Sequence, residues 1–138
     1  RAVVSDTPFG TLGLSICYDV RFAYLYRALA QAGAEILTVP AAFSYVTGAA
    51  HWEALLRARG IETGCYVLAP AQTGVHSARV GQERRTFGHS LAISPWGEVL
   101  ADAGTEVAIV YVDIDRSEVA KARGKIASLR HTREFEGP

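Results

Sequence analysis

The sequence predicts a mixed α/β layered domain. Short apolar runs alternate with helical periodicity as strand–helix–strand–helix–strand, and hairpin signals follow. The chain is also rich in small residues, with 22 Ala and 13 Gly, which let helices approach a sheet closely. At 138 residues it is expected to form one unit, residues 1–138.

Each element has its own signal. Ala2-Val3-Val4 reads as the end of a strand already under way. Ser5 to Gly10 is turn-rich, and Leu12 to Cys17 is a buried strand, so the start is a hairpin whose first strand is cut short. There is no initiator Met, and a fragment of a larger domain is expected. A helix is expected over Arg21 to Ala32, because Phe22, Leu25, Leu29 and Ala32 recur at three- and four-residue spacing before Gly33. Ile36 to Val39 is a strand stopped by Pro40, and Ala41 to Gly48 is a loop. A second helix is expected over Ala50 to Thr63, with Trp52, Leu55, Leu56 and Arg59 on one side. Tyr66 to Ala69 is a strand, and Thr73 to Gly88 reads as a long polar loop. Pro95-Trp96-Gly97 joins two strands, His89 to Ser94 and Glu98 to Ala101. Val107 to Ile114 reads as a strand, Arg116 to Lys125 as a basic amphipathic helix, and the last dozen residues as a tail.

Composition narrows the function classes. The chain is 49% hydrophobic and 20% charged, too apolar for disorder and too charged for a membrane protein. Fourteen Lys+Arg offset fourteen Asp+Glu, so no global field favours nucleic acid or an anionic membrane, and neither is expected as a partner. No apolar run approaches the ~18 residues of a membrane-crossing helix, and no secretory leader is expected. Two cysteines make no disulfide framework, and no Cys/His spacing suggests a metal site. The cytosol is the expected compartment.

Cys17 is the informative position. It ends an apolar strand a few residues before a helix, on a sharp turn open to a pocket. The N–H groups opening that helix would favour a thiolate and a developing oxyanion. A buried structural thiol is the competing reading, and spacing alone leaves both open. Asp19 and Arg21 read as a helix cap and an ion pair. His51 and Glu53 open the second helix, as candidate bases for Cys17 or as capping and dipole-complementing residues. Cys65, among apolar neighbours, reads as an inert thiol, and His89 as a hydrogen-bonded structural residue. A redox pairing of Cys17 with Cys65 is a further reading, with nothing to show that they meet.

The segment Gly13-Leu14-Ser15-Ile16-Cys17-Tyr18-Asp19-Val20-Arg21-Phe22 resembles the nucleophile segment of the nitrilase (carbon–nitrogen hydrolase) superfamily. The resemblance continues through Ala30 to Leu37, Thr47 to Glu53, Arg57 to Glu62, Gly88-His89-Ser90, Pro95 to Val99 and Leu129-Arg130-His131. It covers nearly the whole chain, and the branch it is most similar to is the Nit-type amidases. The resemblance implies the C-terminal half of an α-β-β-α four-layer sandwich. It also implies cysteine-dependent hydrolysis of a small linear carboxylate-bearing amide to acid and ammonia, through a thioester, without metal or cofactor. Carried over, Cys17 is the nucleophile and the backbone N–H of Tyr18 serves the oxyanion. Phe43, Tyr45, Thr47 and His51 are the expected pocket residues, and a homo-oligomer is the expected assembly. The family's catalytic Glu and Lys lie upstream of its Cys, and no residue here matches either motif. The chain alone is therefore expected to be inactive. Other branches of the superfamily, or a non-catalytic interaction module keeping the fold, are the alternatives. Gly60 stands where the family usually has Ala, Ala23 replaces a frequent Pro, and Arg79 to Arg85 reads as a lengthened loop.

Overall fold

The computed structural model describes residues 1–77 and 81–137. Arg79 of the lengthened loop lies outside them. The chain opens with a hairpin of β1 (Val3–Thr7) and β2 (Gly10–Leu14), paired from Val3 opposite Leu14 to Thr7 opposite Gly10. The Thr7 hydroxyl closes its turn by donating to the Gly10 carbonyl at 2.7 Å. A 3-10 turn over Cys17–Arg21 leads into α1 (Ala23–Gln31). Then come β3 (Ile36–Thr38), α2 (Tyr45–Thr63) and β4 (Tyr66–Ala69). Strands β2, β3 and β4 run parallel, as strands joined by helical crossovers must. After β5 (Thr73–His76) and β6 (Arg84–Phe87) come β7 (Leu91–Ile93) and β8 (Val99–Asp102), and later α3 (Ser117–Lys125). The main sheet has the order β1-β2-β3-β4-β7-β8, and β5 and β6 form a separate antiparallel pair.

Register assigns the two faces. Gly13, Leu37 and Val67 lie side by side across β2, β3 and β4, and so do Leu12, Ile36 and Tyr66. Successive residues point to opposite faces, so these rows belong to different layers. The first row meets α1 and α2. Leu29, Leu37, Trp52, Leu56, Val67 and Ile93 are fully buried there in one cluster. Gly13 permits this contact: a Cβ on it would stand 2.9 Å from the Leu37 side chain and 3.2 Å from Leu29. The second row is thinly covered. Ile36 and Tyr66 pack with Val119 of α3, while Leu14, Val107, Ile109 and Tyr111 stay exposed.

Four expectations are corrected. The first helix does not run unbroken from Arg21, because Phe22 (φ −102°, ψ 84°) separates the 3-10 turn from α1. The second helix starts at Tyr45 rather than Ala50. Thr47-Gly48 has the composition of a turn but lies in the helix, and the glycine makes room for Phe87, where a Cβ would come within 2.3 Å. The segment from Thr73 to Gly88 contains the β5–β6 pair instead of an unstructured loop. Val107 to Ile114 joins no ladder among the described residues.

Gly48 gives a direct test of this packing. Alanine in an open helix would add about 1 kcal/mol of propensity over glycine. Against Phe87 the sign reverses, and Gly48→Ala is expected to cost about 1–3 kcal/mol by overpacking. A urea midpoint equal to or above that of the parent protein would contradict the contact. Gly60 is similarly enclosed: a methyl there would sit 3.0 Å from the Ser94 carbonyl, which accounts for glycine where the family usually has Ala.

Candidate active site

Cys17 occupies the left-handed region at φ +47°, a conformation that favours glycine and costs a side-chain-bearing residue roughly 1–3 kcal/mol. Surrounding contacts enforce it. The Cys17 N–H donates to the Pro40 carbonyl at 2.9 Å. The Ile16 N–H donates to Asp19 Oδ2 at 2.9 Å, and the Asp19 N–H returns to the Ile16 carbonyl at 2.9 Å. Asp19 thus caps the turn, as its position suggested. The Ser15 hydroxyl donates to the Thr38 carbonyl at 2.8 Å and meets the Tyr26 hydroxyl at 2.7 Å. Burial, the largest influence, pushes Tyr26 up to about 12, so it stays neutral. At the other end of the turn, buried Arg59 donates from Nε to the Val20 carbonyl at 2.8 Å and lies over the Tyr26 ring. An arginine on the apolar side of α2 was the sequence signal for this brace, and it was not read as one.

Cys17 is partly buried and lines an open cleft of about 600 Å³. Pro40, Ala42 and Pro70 wall the cleft from beyond the ends of β3 and β4. Gln72, Ser90 and Arg84 complete it. The Tyr18 N–H, one of the first donors of the turn, has no acceptor among the described residues. The site therefore joins a strained thiol, an adjacent free N–H and a cleft of small-molecule size.

The expected pocket residues sit elsewhere. Phe43 is buried with its ring 4.7 Å from Trp52. Tyr45 opens α2 with Arg85 stacked over its ring at 4.0 Å. The Thr47 hydroxyl meets that of Ser44 at 2.7 Å. Exposed His51 is 3.4 Å from the Arg21 guanidinium. None of the four walls the Cys17 cleft. Arg21 stacks on Tyr18 and Phe43, each at 5.4 Å, so of the two expected pairings, with Asp19 or with neighbouring elements, it takes the second. Glu53 pairs with Arg57 along the helix surface at 3.4 Å.

Two other titratable groups are structural. Burial pushes the Cys65 thiol up, and its Sγ donates to the Ala34 carbonyl at 3.2 Å. His89 (φ +55°) stacks on Phe87, accepts from Trp52 Nε1 at its carbonyl and holds Asp102 at 3.0 Å. Burial works against the Asp102 carboxylate, but hydrogen bonds from His89 and the Gly104 N–H outweigh it and hold the group below its usual range. A carboxyl lowered in the folded state stabilises above its unfolded pKa, and that contribution is lost as pH falls through the folded value. Asp102→Asn is therefore expected to flatten the acid limb of the stability–pH curve. An unchanged limb would contradict the clamp. Among the described residues no cluster of His, Cys, Asp and Glu could hold a metal ion, and no helix is long and apolar enough to cross a membrane.

The family model for carbon-nitrogen hydrolases matches residues 1–124. The chain belongs to the carbon–nitrogen hydrolase family. It is 52% identical over 129 residues to the deaminated glutathione amidase of Synechocystis sp., covering 94% of this chain and 46% of that protein. The chain thus spans less than half the length of that curated relative. It superposes on the crystal structure of the C. elegans NitFhit protein with TM-score 0.86 at 48% identity, covering 93% of this chain and 30% of that one. The amidase of Nesterenkonia sp. AN1 shares 26% identity at TM-score 0.73, covering 92% of this chain and 46% of that one. A mutant of that amidase carries the acetamide moiety of fluoroacetamide covalently at its active-site cysteine. The α/β fold therefore matches part of the nitrilase-superfamily structures, and the chain is a Nit-type homologue.

Proposed function

We propose that this chain is the nucleophile-bearing, C-terminal part of an amidase that hydrolyses a small linear carboxylate-bearing amide. The observation that carries the reading is Cys17, strained to φ +47° beside an open cleft within the family's matched span. The Cys17 sulfur attacks the amide carbon and forms a C–S bond. The carbonyl electrons move onto oxygen, which the Tyr18 N–H stabilises. The tetrahedral centre collapses, the C–N bond breaks, and nitrogen leaves as ammonia after protonation. Water then attacks the thioester, restoring the thiol and releasing the acid. The proton carrier is the family's Glu, and its Lys assists the oxyanion. Both come from the part of the family domain that this chain does not span. No step requires a metal or cofactor.

In the complete domain a second sheet covers the thinly protected face at Leu14, Ile109 and Tyr111, giving the four-layer sandwich. The enzyme is a cytoplasmic homo-oligomer, associating near α1 and the C-terminal tail. Ammonia release from a series of dicarboxylic monoamides tests the reading in the full-length polypeptide. Turnover that vanishes in Cys17→Ser is expected. No release from any amide of the series would overturn it.

A further inference from the structure

Arg59 lies on the core side of α2 and is only 6% exposed. A buried ion pair is a weak source of stability, because well-packed apolar side chains in its place are often as good or better. The pair of Arg59 with Glu62 therefore has a reason other than stability. A guanidinium holds its partners in fixed directions, which an apolar side chain does not. Here its Nε donates to the Val20 carbonyl at 2.8 Å, its Nη1 meets Glu62, and its Cζ lies 5.5 Å from the centroid of the Tyr26 ring.

These contacts grip both ends of one stretch of backbone, Ser15 to Val20. At its exit stands the Val20 carbonyl, held by Arg59 directly. At its entrance the Ser15 hydroxyl gives its proton to the Thr38 carbonyl, so the Tyr26 hydroxyl, 2.7 Å away, is the donor to Ser15. Tyr26 is fully buried and is itself packed under Arg59. Between the two ends lie Cys17 at φ +47° and Tyr18. A strained residue keeps such a conformation only where its surroundings over-determine it. The Tyr18 N–H belongs to the peptide that follows Cys17, so relaxation at Cys17 turns the oxyanion donor together with the thiol. Neither Arg59, Tyr26 nor Val20 lines the cleft, so the grip acts through backbone alone.

We infer that Arg59 is a positioning residue of the amidase, clamping the nucleophile turn at the Val20 carbonyl and, through Tyr26, at Ser15. The inference rests on the amidase reading and adds the group that keeps the Cys17 sulfur and the Tyr18 N–H aimed together into the cleft. Arg59 touches no substrate. Its contribution is realised when charge develops on the amide oxygen, so its loss falls on kcat and spares KM.

The test measures kcat and KM on a dicarboxylic monoamide in the full-length polypeptide, per folded molecule, beside a thermal melt of each variant. Arg59→Lys keeps a charge facing Glu62 but loses the directed Nε–H. Its kcat should fall about 10–100-fold with KM within about threefold, the loss typical of a slightly misplaced reacting group. Tyr26→Phe keeps the ring under Arg59 and removes only the hydrogen bond to Ser15, and its kcat should fall less, about 3–10-fold. Cys65→Ser is the control, a buried change with no tie to the turn, and should lower the melting temperature while keeping the parent kcat. Arg59→Lys and Tyr26→Phe proteins that melt lower yet turn over like the parent would make Arg59 a stabilising residue only. A raised KM at unchanged kcat would place it in substrate binding instead. Either outcome overturns the inference and leaves the amidase reading intact. If Arg59→Lys does not fold, Tyr26→Phe decides alone, and a parent-like kcat there overturns the inference. A parent protein inactive on the monoamide would overturn the two together.

Discussion

Replacing Cys17 with Ser or Ala is expected to lower amide hydrolysis by roughly 10³–10⁶-fold in the full-length polypeptide, because groups that act as a unit fail together. Stability should hardly change, since Ser and Ala keep the Cβ at φ +47° and remove only a partly buried sulfur. Cys17→Gly is more discriminating. Glycine accepts φ +47° without penalty, so this inactive variant should melt at or above the parent temperature. Cys65→Ser is the counterpart. It should keep activity and lose stability, because Cys65 is fully buried and hydrogen-bonded to the Ala34 carbonyl. Limiting iodoacetamide should accordingly label Cys17 first. An active Cys17→Ser protein, or preferential labelling of Cys65, would remove Cys17 from the chemistry.

Residues 1–138 expressed alone are expected to show no amidase activity and to self-associate. The proposed oxyanion donor and the thiol are together, but the family's Glu and Lys match no residue of this chain. Loss of such partners costs on the order of 10³-fold or more. The sheet is finished on one face only. Val107, Ile109 and Tyr111 are 97%, 81% and 86% exposed on the open side, together with exposed Leu14, and a net charge of +0 adds little repulsion between copies. Edge strands β1 and β8 offer further pairing surfaces. Supplying the rest of the family domain, in cis or as a second chain, should restore a discrete assembly by size-exclusion chromatography. A monodisperse, cooperatively melting and active 138-residue species would contradict the proposed division of the catalytic set.

Much of the architecture was legible because it rests on local patterns. The hairpin at Pro8-Phe9, the strands at Ile36 and Tyr66, the turn at Pro95-Trp96-Gly97 and the helix before Lys125 each carry their own periodicity or turn chemistry. The misread elements are those decided by distant partners. Gly48 reads as a turn residue, but its glycine answers to Phe87, far along the chain, which packs against it inside the helix. The polar run from Thr73 becomes a strand pair through its register with residues 84–87. Val107 to Ile114 alternates like a strand but has no neighbour to pair with among the described residues. The site divides in the same way. Cys17, expected at the end of a strand, opens the 3-10 turn three residues beyond β2, and Asp19 takes the capping position its place in the sequence suggested. Arg84 was hidden inside a segment read as loop, and Arg59 looked like an ordinary helical arginine. Phe43, Tyr45, Thr47 and His51, the expected pocket residues, do not line the Cys17 cleft of this chain.

The central claim is a thioester at Cys17, and trapping it is the most direct measurement. The full-length polypeptide would be mixed with a dicarboxylic monoamide, quenched in acid during turnover, digested and mapped by mass spectrometry. A mass increase equal to the substrate's acyl group is expected on the peptide containing Cys17, and none in the Cys17→Ala protein. Steady ammonia release with no acyl adduct there, or an adduct on Cys65 instead, would contradict it.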